Sequence, residues 1–78
     1  MKKSLATIFG EVLKELRKEA GISQEQLAYE CELDRSFISM LERGLRMPTI
    51  ETLFKISKAF KKAPFEIIKF VEQKFDAA

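Results

Sequence analysis

The chain has 78 residues, 46% hydrophobic and 33% charged, with a net charge of +2 at pH 7, one cysteine and no histidine. That length suits one small domain over 1–78 with a single core. A lone cysteine excludes a disulfide framework, and without histidine neither the commonest general base nor a zinc-binding Cys/His set is present, so no metal or cofactor is expected.

The N-terminal residues 1–4 are expected to fray. Ile8, Phe9, Val12, Leu13, Leu16 and Ala20 recur at helical spacing. They predict a first helix over 5–20, with Lys14, Glu15, Lys18 and Glu19 on its wet face. Gly10 inside it costs about 1 kcal/mol against alanine, and Gly21 ends it. Ser23 with Gln26 three residues on forms a capping box that opens a second helix over 24–30. Leu27 and Ala28 point inward, and Ala28 is small enough to let another helix pass close by. The pattern breaks over 31–33.

Asp34 then caps a third helix over 35–43, buried along Phe37, Ile38 and Leu41 and stopped by Gly44. This leaves Arg35, Ser36, Ser39, Met40 and Arg43 on its remaining surface. After a loop, Thr49 begins a fourth helix over 49–60, with Ile50, Leu53, Ile56, Ala59 and Phe60 as its buried stripe. Lys58, Lys61 and Lys62 sit near its negative end. Ala63-Pro64 opens a fifth helix over 64–75, with proline at its first position. No strand pattern appears, so the expected fold is all-α.

The fifth helix is apolar on two sides. Phe65, Ile68, Val71 and Phe75 share one face, and Ile67, Phe70 and Lys74 lie on another. A domain this small cannot easily turn both inward. The exposed one implies a partner surface, most simply a second copy; the alternative is a wide core face. No apolar run approaches the ~20 residues of a membrane span, and no signal-peptide core is present. With a cysteine usage suited to a reducing compartment, the expected location is the cytoplasm, beside the nucleoid.

The second and third helices have the geometry needed to enter a DNA major groove: a short helix, polar and basic at its start, held by a partner helix. The run QEQLAYECELDRSFISMLERGLRMPTIETL resembles the Cro/phage-repressor (XRE-type) helix-turn-helix family. Within it, the chain is most similar to the small controller proteins of restriction–modification systems, where LAY, LDR, IS and ER recur at these spacings. The likeness covers residues 8 to 70. It implies a five-helix lambda-repressor-like fold and a homodimeric transcriptional regulator that binds double-stranded DNA at palindromic operators.

The resemblance assigns base reading to Arg35 and Ser36, and gives Met40 another reading position, with Ser39 beside it. Arginine can bond guanine O6 and N7 bidentately, serine can donate or accept, and methionine offers only apolar contact, for example to a thymine methyl. At Phe37 the family carries an aromatic residue near the DNA, whereas periodicity alone equally places it partly in the core. Gln24 and the amides around it match a phosphate site at a helix N-terminus. Ser23 caps the same end, and a purely structural cap is an equal reading. Arg43 and Arg46 flank Gly44, placed to grip the DNA backbone. Arg17 and Glu42 match a structural ion pair of the family.

Two positions depart from the family pattern. Glu32 stands where glycine or asparagine is common, at a turn that often takes positive φ. Cys31 replaces a small core residue and is expected to act as a filler. Glu25, Glu30 and Glu32 gather on and after the second helix. The resemblance offers Glu25 and Glu30 as a contact for RNA polymerase; the alternative is a solvated face. For the dimer interface, Ile67, Phe70, Val71 and Lys74 are the candidates. A different class of function, an antitoxin-like or adaptor module, would instead use the fifth helix on another protein. An enzyme lacks support: there is no histidine, metal cluster or glycine-rich phosphate loop.

Overall fold

A computed structural model describes residues 3–77. It contains five helices: α1 (Leu5–Ala20), α2 (Gln24–Cys31), α3 (Arg35–Glu42), α4 (Ile50–Ala59) and α5 (Pro64–Ala77). There is no strand among the described residues. The ends agree with the sequence to within a residue or two; α5 runs on to Ala77. Of the residues expected to fray, 1 and 2 lie outside the described part. Ser4 is ordered by a job: its Oγ accepts from the Thr7 amide at 3.1 Å and caps α1, while Lys3 pairs with Glu11 at 2.6 Å.

The other caps follow the sequence with one correction. Gly21 takes φ 71° and closes α1, and Ser23 Oγ accepts from the Gln26 amide at 3.0 Å. The return bond of the capping box is not made among the described residues. Thr49 Oγ1 accepts from the Thr52 amide. Asp34 occupies the cap position of α3, but its side chain accepts no capping bond, so the first amides of α3 are left open. At α5, Glu66 Oε1 accepts from the Ala63 amide at 2.8 Å, a cap that the Ala63-Pro64 reading had not included.

The core gathers Ile8, Phe9, Val12, Leu13 and Leu16 of α1 around buried residues of every other helix. α1 packs on α3 and α5, α2 on α3 and α4, and α4 on α5. Two expectations fail here. Ile50 is 72% exposed, because as the first residue of α4 it overhangs the end of the core. Thr52 and Ser57 turn inward instead, with Ser57 Oγ donating to the Phe54 carbonyl at 2.9 Å.

The second failure concerns α5. Its core face is made of Ile67 and Val71, one from each expected face, at 1% and 5% exposure. Ile67 is committed to the core and leaves no surface for a second copy, while Val71 keeps a small area at the floor of a groove. Lys74 is paired with Glu15 at 3.1 Å, and the Lys62 ammonium lies 5.8 Å from the centre of the Phe70 ring. Phe65, Ile68, Phe70 and Phe75 stay exposed.

Cys31 is buried, and desolvation pushes its thiol up to about 11. A thiol so disfavoured as thiolate behaves as an apolar filler.

What sets α3 against α1 is a close approach and an ion pair. Gly10 is buried where α1 crosses the end of α3. A Cβ built on it would overlap the Leu41 carbonyl oxygen and lie 2.7 Å from that of Glu42. Next to this crossing, Arg17 of α1 meets Glu42, the last residue of α3. Arg17 Nε donates to Glu42 Oε2 at 2.6 Å and Nη2 to Oε1 at 3.1 Å, while Nη1 reaches the Ile22 carbonyl at 2.9 Å. The two side chains are 13% and 3% exposed. The hydrogen bond to Glu42 raises the Arg17 pKa further, outweighing the opposing effect of burial. Such a pair repays its desolvation only with good geometry and with its remaining polar sites satisfied.

Both features predict losses. Gly10→Ala should destabilise the fold by about 1–3 kcal/mol through overpacking, even though alanine is the better helix former by about 1 kcal/mol. Urea unfolding checks the sign. Glu42→Ala strands the Arg17 charge and should cost about 3–5 kcal/mol, read in the same unfolding experiment as a lowered midpoint at unchanged slope.

Candidate nucleic-acid interface

α2 and α3 are joined by a tight turn whose shape comes from Glu32 at φ 57°. In that conformation the Glu32 amide donates to the Tyr29 carbonyl at 3.2 Å and the Leu33 amide to the Ala28 carbonyl at 2.9 Å, closing the end of α2. A left-handed glutamate costs roughly 1–3 kcal/mol of local strain. Of the two outcomes open at this position, a strained turn or a different one, Glu32 takes the positive φ and with it the strain.

Across the turn, α3 buries Ile38 and Leu41 completely. Arg35 and Ser36 stand exposed in its first turn, and Ser39 and Met40 are half-buried one turn on. The five residues assigned to base reading thus start from one exposed end. Phe37 divides the two readings offered for it: it is half-buried, packed against the core, and keeps an outer edge.

Gln24 does more than the sequence suggested. Its Nε2 donates to Glu42 Oε1 at 2.9 Å, and its Oε1 accepts from Arg35 Nη1 at 3.4 Å. The side chain assigned to a phosphate is thus engaged with the ion pair on one side and the recognition helix on the other. No sequence spacing signals this, because residues 24, 35 and 42 meet only once α2 and α3 cross.

The remaining assignments are spread around this centre. Ser23 Oγ serves as a cap for α2, as one of its two readings held. Arg43 is exposed, but its Nε folds back to the Ser39 carbonyl at 3.4 Å. Arg46 is exposed in the loop after Gly44. Gly44 itself takes φ 74°, and a Cβ there would lie 2.9 Å from Thr7 Cα, so this loop is pressed against the start of α1. Glu25 is exposed on α2 near Tyr29, which is 86% exposed. Glu30 instead lines a groove together with Lys55 and Lys58. Among the described residues no group of acidic or cysteine side chains is placed to hold a metal ion, and no helix is long and apolar enough to cross a membrane.

Comparison with known proteins agrees with this architecture. The helix-turn-helix (HTH_3) family matches residues 13–67. The control protein C.BamHI of Bacillus amyloliquefaciens is 37% identical over 71 residues, which span 90% of this chain and 88% of that one. Control protein C.MunI of a Mycoplasma species is 38% identical over 66 residues, covering 83% and 89%. Among solved structures, the restriction-modification controller protein C.AhdI of Aeromonas hydrophila superposes with a TM-score of 0.77 at 39% identity, over 80% of this chain and 94% of that one. A variant of the controller protein C.Esp1396I gives 0.83 at 35% identity, covering 95% and 94%. The crossed α2–α3 pair, its outward first turn and these likenesses place the chain in one group: it belongs to the Cro/C1-type (XRE) helix-turn-helix family of DNA-binding transcriptional regulators.

Proposed function

We propose that this regulator is a restriction–modification controller protein that binds a palindromic operator as a homodimer. The observation that carries this reading is the presentation of Arg35 and Ser36 together at the exposed start of a helix whose far end is clamped to α1. The likeness to two control proteins over most of their length supports the controller assignment. In this reading Arg35 and Ser36 enter the major groove and read base edges. The outer edge of Phe37 lies beside them, and Ser39 and Met40 follow one turn behind. The open amides at the start of α2, beside Ser23 and Gln24, take a phosphate with help from the helix dipole. Arg43 and Arg46 hold the backbone on the other side of the helix, Arg43 after releasing the Ser39 carbonyl.

The fold measures 34 × 23 × 23 Å and carries one recognition helix. A two-fold-symmetric site with half-sites ~34 Å apart needs two such helices, one from each copy. A second copy needs a face, and the buried Ile67 cannot supply it. The exposed apolar side chains of Leu5, Met47, Ile50, Ile68 and Phe75 instead line one groove of about 470 Å³ between the start of α1, the α3–α4 loop and α5. In this proposal the dimer forms there.

Selection from a random duplex library at physiological salt tests the reading. A consensus with two-fold symmetry and half-sites about one helical turn apart is expected; no enrichment over the starting pool would overturn it. On that consensus, Arg35→Ala should lose about 1–3 kcal/mol at particular bases, while Arg46→Ala should weaken all sequences alike and lower the salt slope by about one. Ile68→Glu should yield a folded monomer by sedimentation. A variant that sediments like the wild type would remove the assigned face and leave it to a different protein, as an adaptor would use it.

A further inference from the structure

Outside the DNA-reading helix and the apolar groove, the end of α4 carries an unbalanced charge. Lys55, Lys58, Lys61 and Lys62 gather there, and none of the four is ion-paired among the described residues. Lys55, Lys58 and Lys61 line two grooves at once. One, of about 570 Å³, is also lined by Phe54, Lys62 and Pro64. The other, of about 410 Å³, is also lined by Glu30 and Glu32. Phe54 is 58% exposed, and Phe65, next to Pro64, is 71% exposed. The negative end of α4 attracts cations, which accounts for Lys58, Lys61 and Lys62. It accounts neither for Lys55, nearly a turn earlier, nor for two phenylalanines left in water. Lys61 also takes φ 56°, a conformation that glycine adopts freely and lysine only at a cost.

We propose that this surface docks a protein partner that presents acidic side chains beside an apolar one. It goes beyond the regulator reading and does not rest on it. Three features choose the class of partner. The lysines call for anions. Phe54 and Phe65 call for apolar side chains, and a duplex backbone, which offers phosphate and sugar, would leave them in water. Glu30 and Glu32 lie along the same lysines and repel a continuous run of phosphates. A single strand that stacked its bases on the phenylalanines would meet the same repulsion. A protein instead sets carboxylates on the lysines and a neutral or basic side chain on the glutamates, so that both signs are matched. No residue lining these two grooves lines the dimer groove, and none is among those assigned to DNA. On an operator-bound dimer the surface would stay open, and a partner docked there would be brought to the operator.

The probe is a synthetic helical peptide with glutamates along one face and leucines beside them, titrated into the full ¹⁵N-labelled chain. Amide shifts should cluster at the end of α4 and the start of α5, while the Arg35 and Ile68 signals stay in place. A peptide with serine in place of the leucines should bind about ten-fold more weakly. Lys58→Glu should weaken the leucine peptide by about ten-fold. Lys61→Gly separates binding from folding. It relieves the strained backbone, so its urea midpoint should be at or above that of the wild type, while peptide binding should fall by about three-fold. Shifts spread over the whole molecule, or equal binding of the two peptides, overturn the proposal. Tighter binding of oligothymidylate or of a non-operator duplex at these lysines would make the surface a nucleic-acid contact and overturn it too. Sedimentation addresses the remaining occupant: dimers that associate further with rising concentration, and cease to do so in Lys58→Glu, would make it a contact between copies and overturn a separate partner. None of these readouts uses the operator. Failure here leaves the regulator reading intact, and failure of the duplex selection leaves this surface intact.

Discussion

Glu42 is the residue on which the interface depends. It ends α3, it neutralises a nearly buried arginine of α1, and it fixes the direction of Gln24. Charge burial of this kind is not a cheap source of stability, since an apolar replacement of the whole set is often as good. Its value here is geometric. A carboxylate that must satisfy Arg17 bidentately and Gln24 at once has few permitted positions. Next to it, the backbone of α3 is pressed against Gly10, closer than any side chain would allow. The pair sets the direction of the helix end, and the glycine sets its distance.

The helix ends are where the chain accepts local cost for global shape. Glu32 and Lys61 both take positive φ, at 57° and 56°, without being glycine. Each ends a helix in the same way. Leu33 and Lys62 donate to the carbonyls of Ala28 and Ser57, five residues back, and satisfy groups that the helix would otherwise leave open. The strain at Glu32 is tolerated because Leu27, Ala28 and Cys31 on one side and Ile38 on the other are fully packed, so the turn between them has no alternative path.

How much of this was legible depended on whether the signal was local. Capping residues and glycines lie beside what they control, so the helices came out at nearly the right residues. The strained turn at Glu32 was legible because the family pattern marks its neighbours. The split of α5 was not. Its apolar residues occupy most of the circumference, and periodicity cannot choose between faces when both are apolar. The choice was made by α1 and α4, which receive Ile67 and Val71. Gly10 was misread for a related reason. From the sequence it is a weak point in a helix; only the approach of α3, more than thirty residues later, turns it into a requirement. Arg17 and Glu42 were paired through resemblance, whereas the link from Glu42 to Gln24 and Arg35 had no counterpart in any spacing.

A recognition helix fixed at one end is a poor reader. With eight residues, α3 is about 12 Å long. If it were held only at Glu42, a tilt of roughly 10° would displace its first residue by about 2 Å, enough to break a bidentate base contact that tolerates about 0.5 Å. The hydrophobic seat of Ile38 and Leu41 limits that tilt but does not reach Arg35, which is exposed. The missing cap at Asp34 removes the usual restraint at that end. Phe37, packed against the core, steadies the backbone of the first turn, while Gln24, already anchored by Glu42, reaches only the side chain of Arg35. One buried carboxylate thereby holds the last residue of the helix directly and, through one amide, is linked to the side chain of its first.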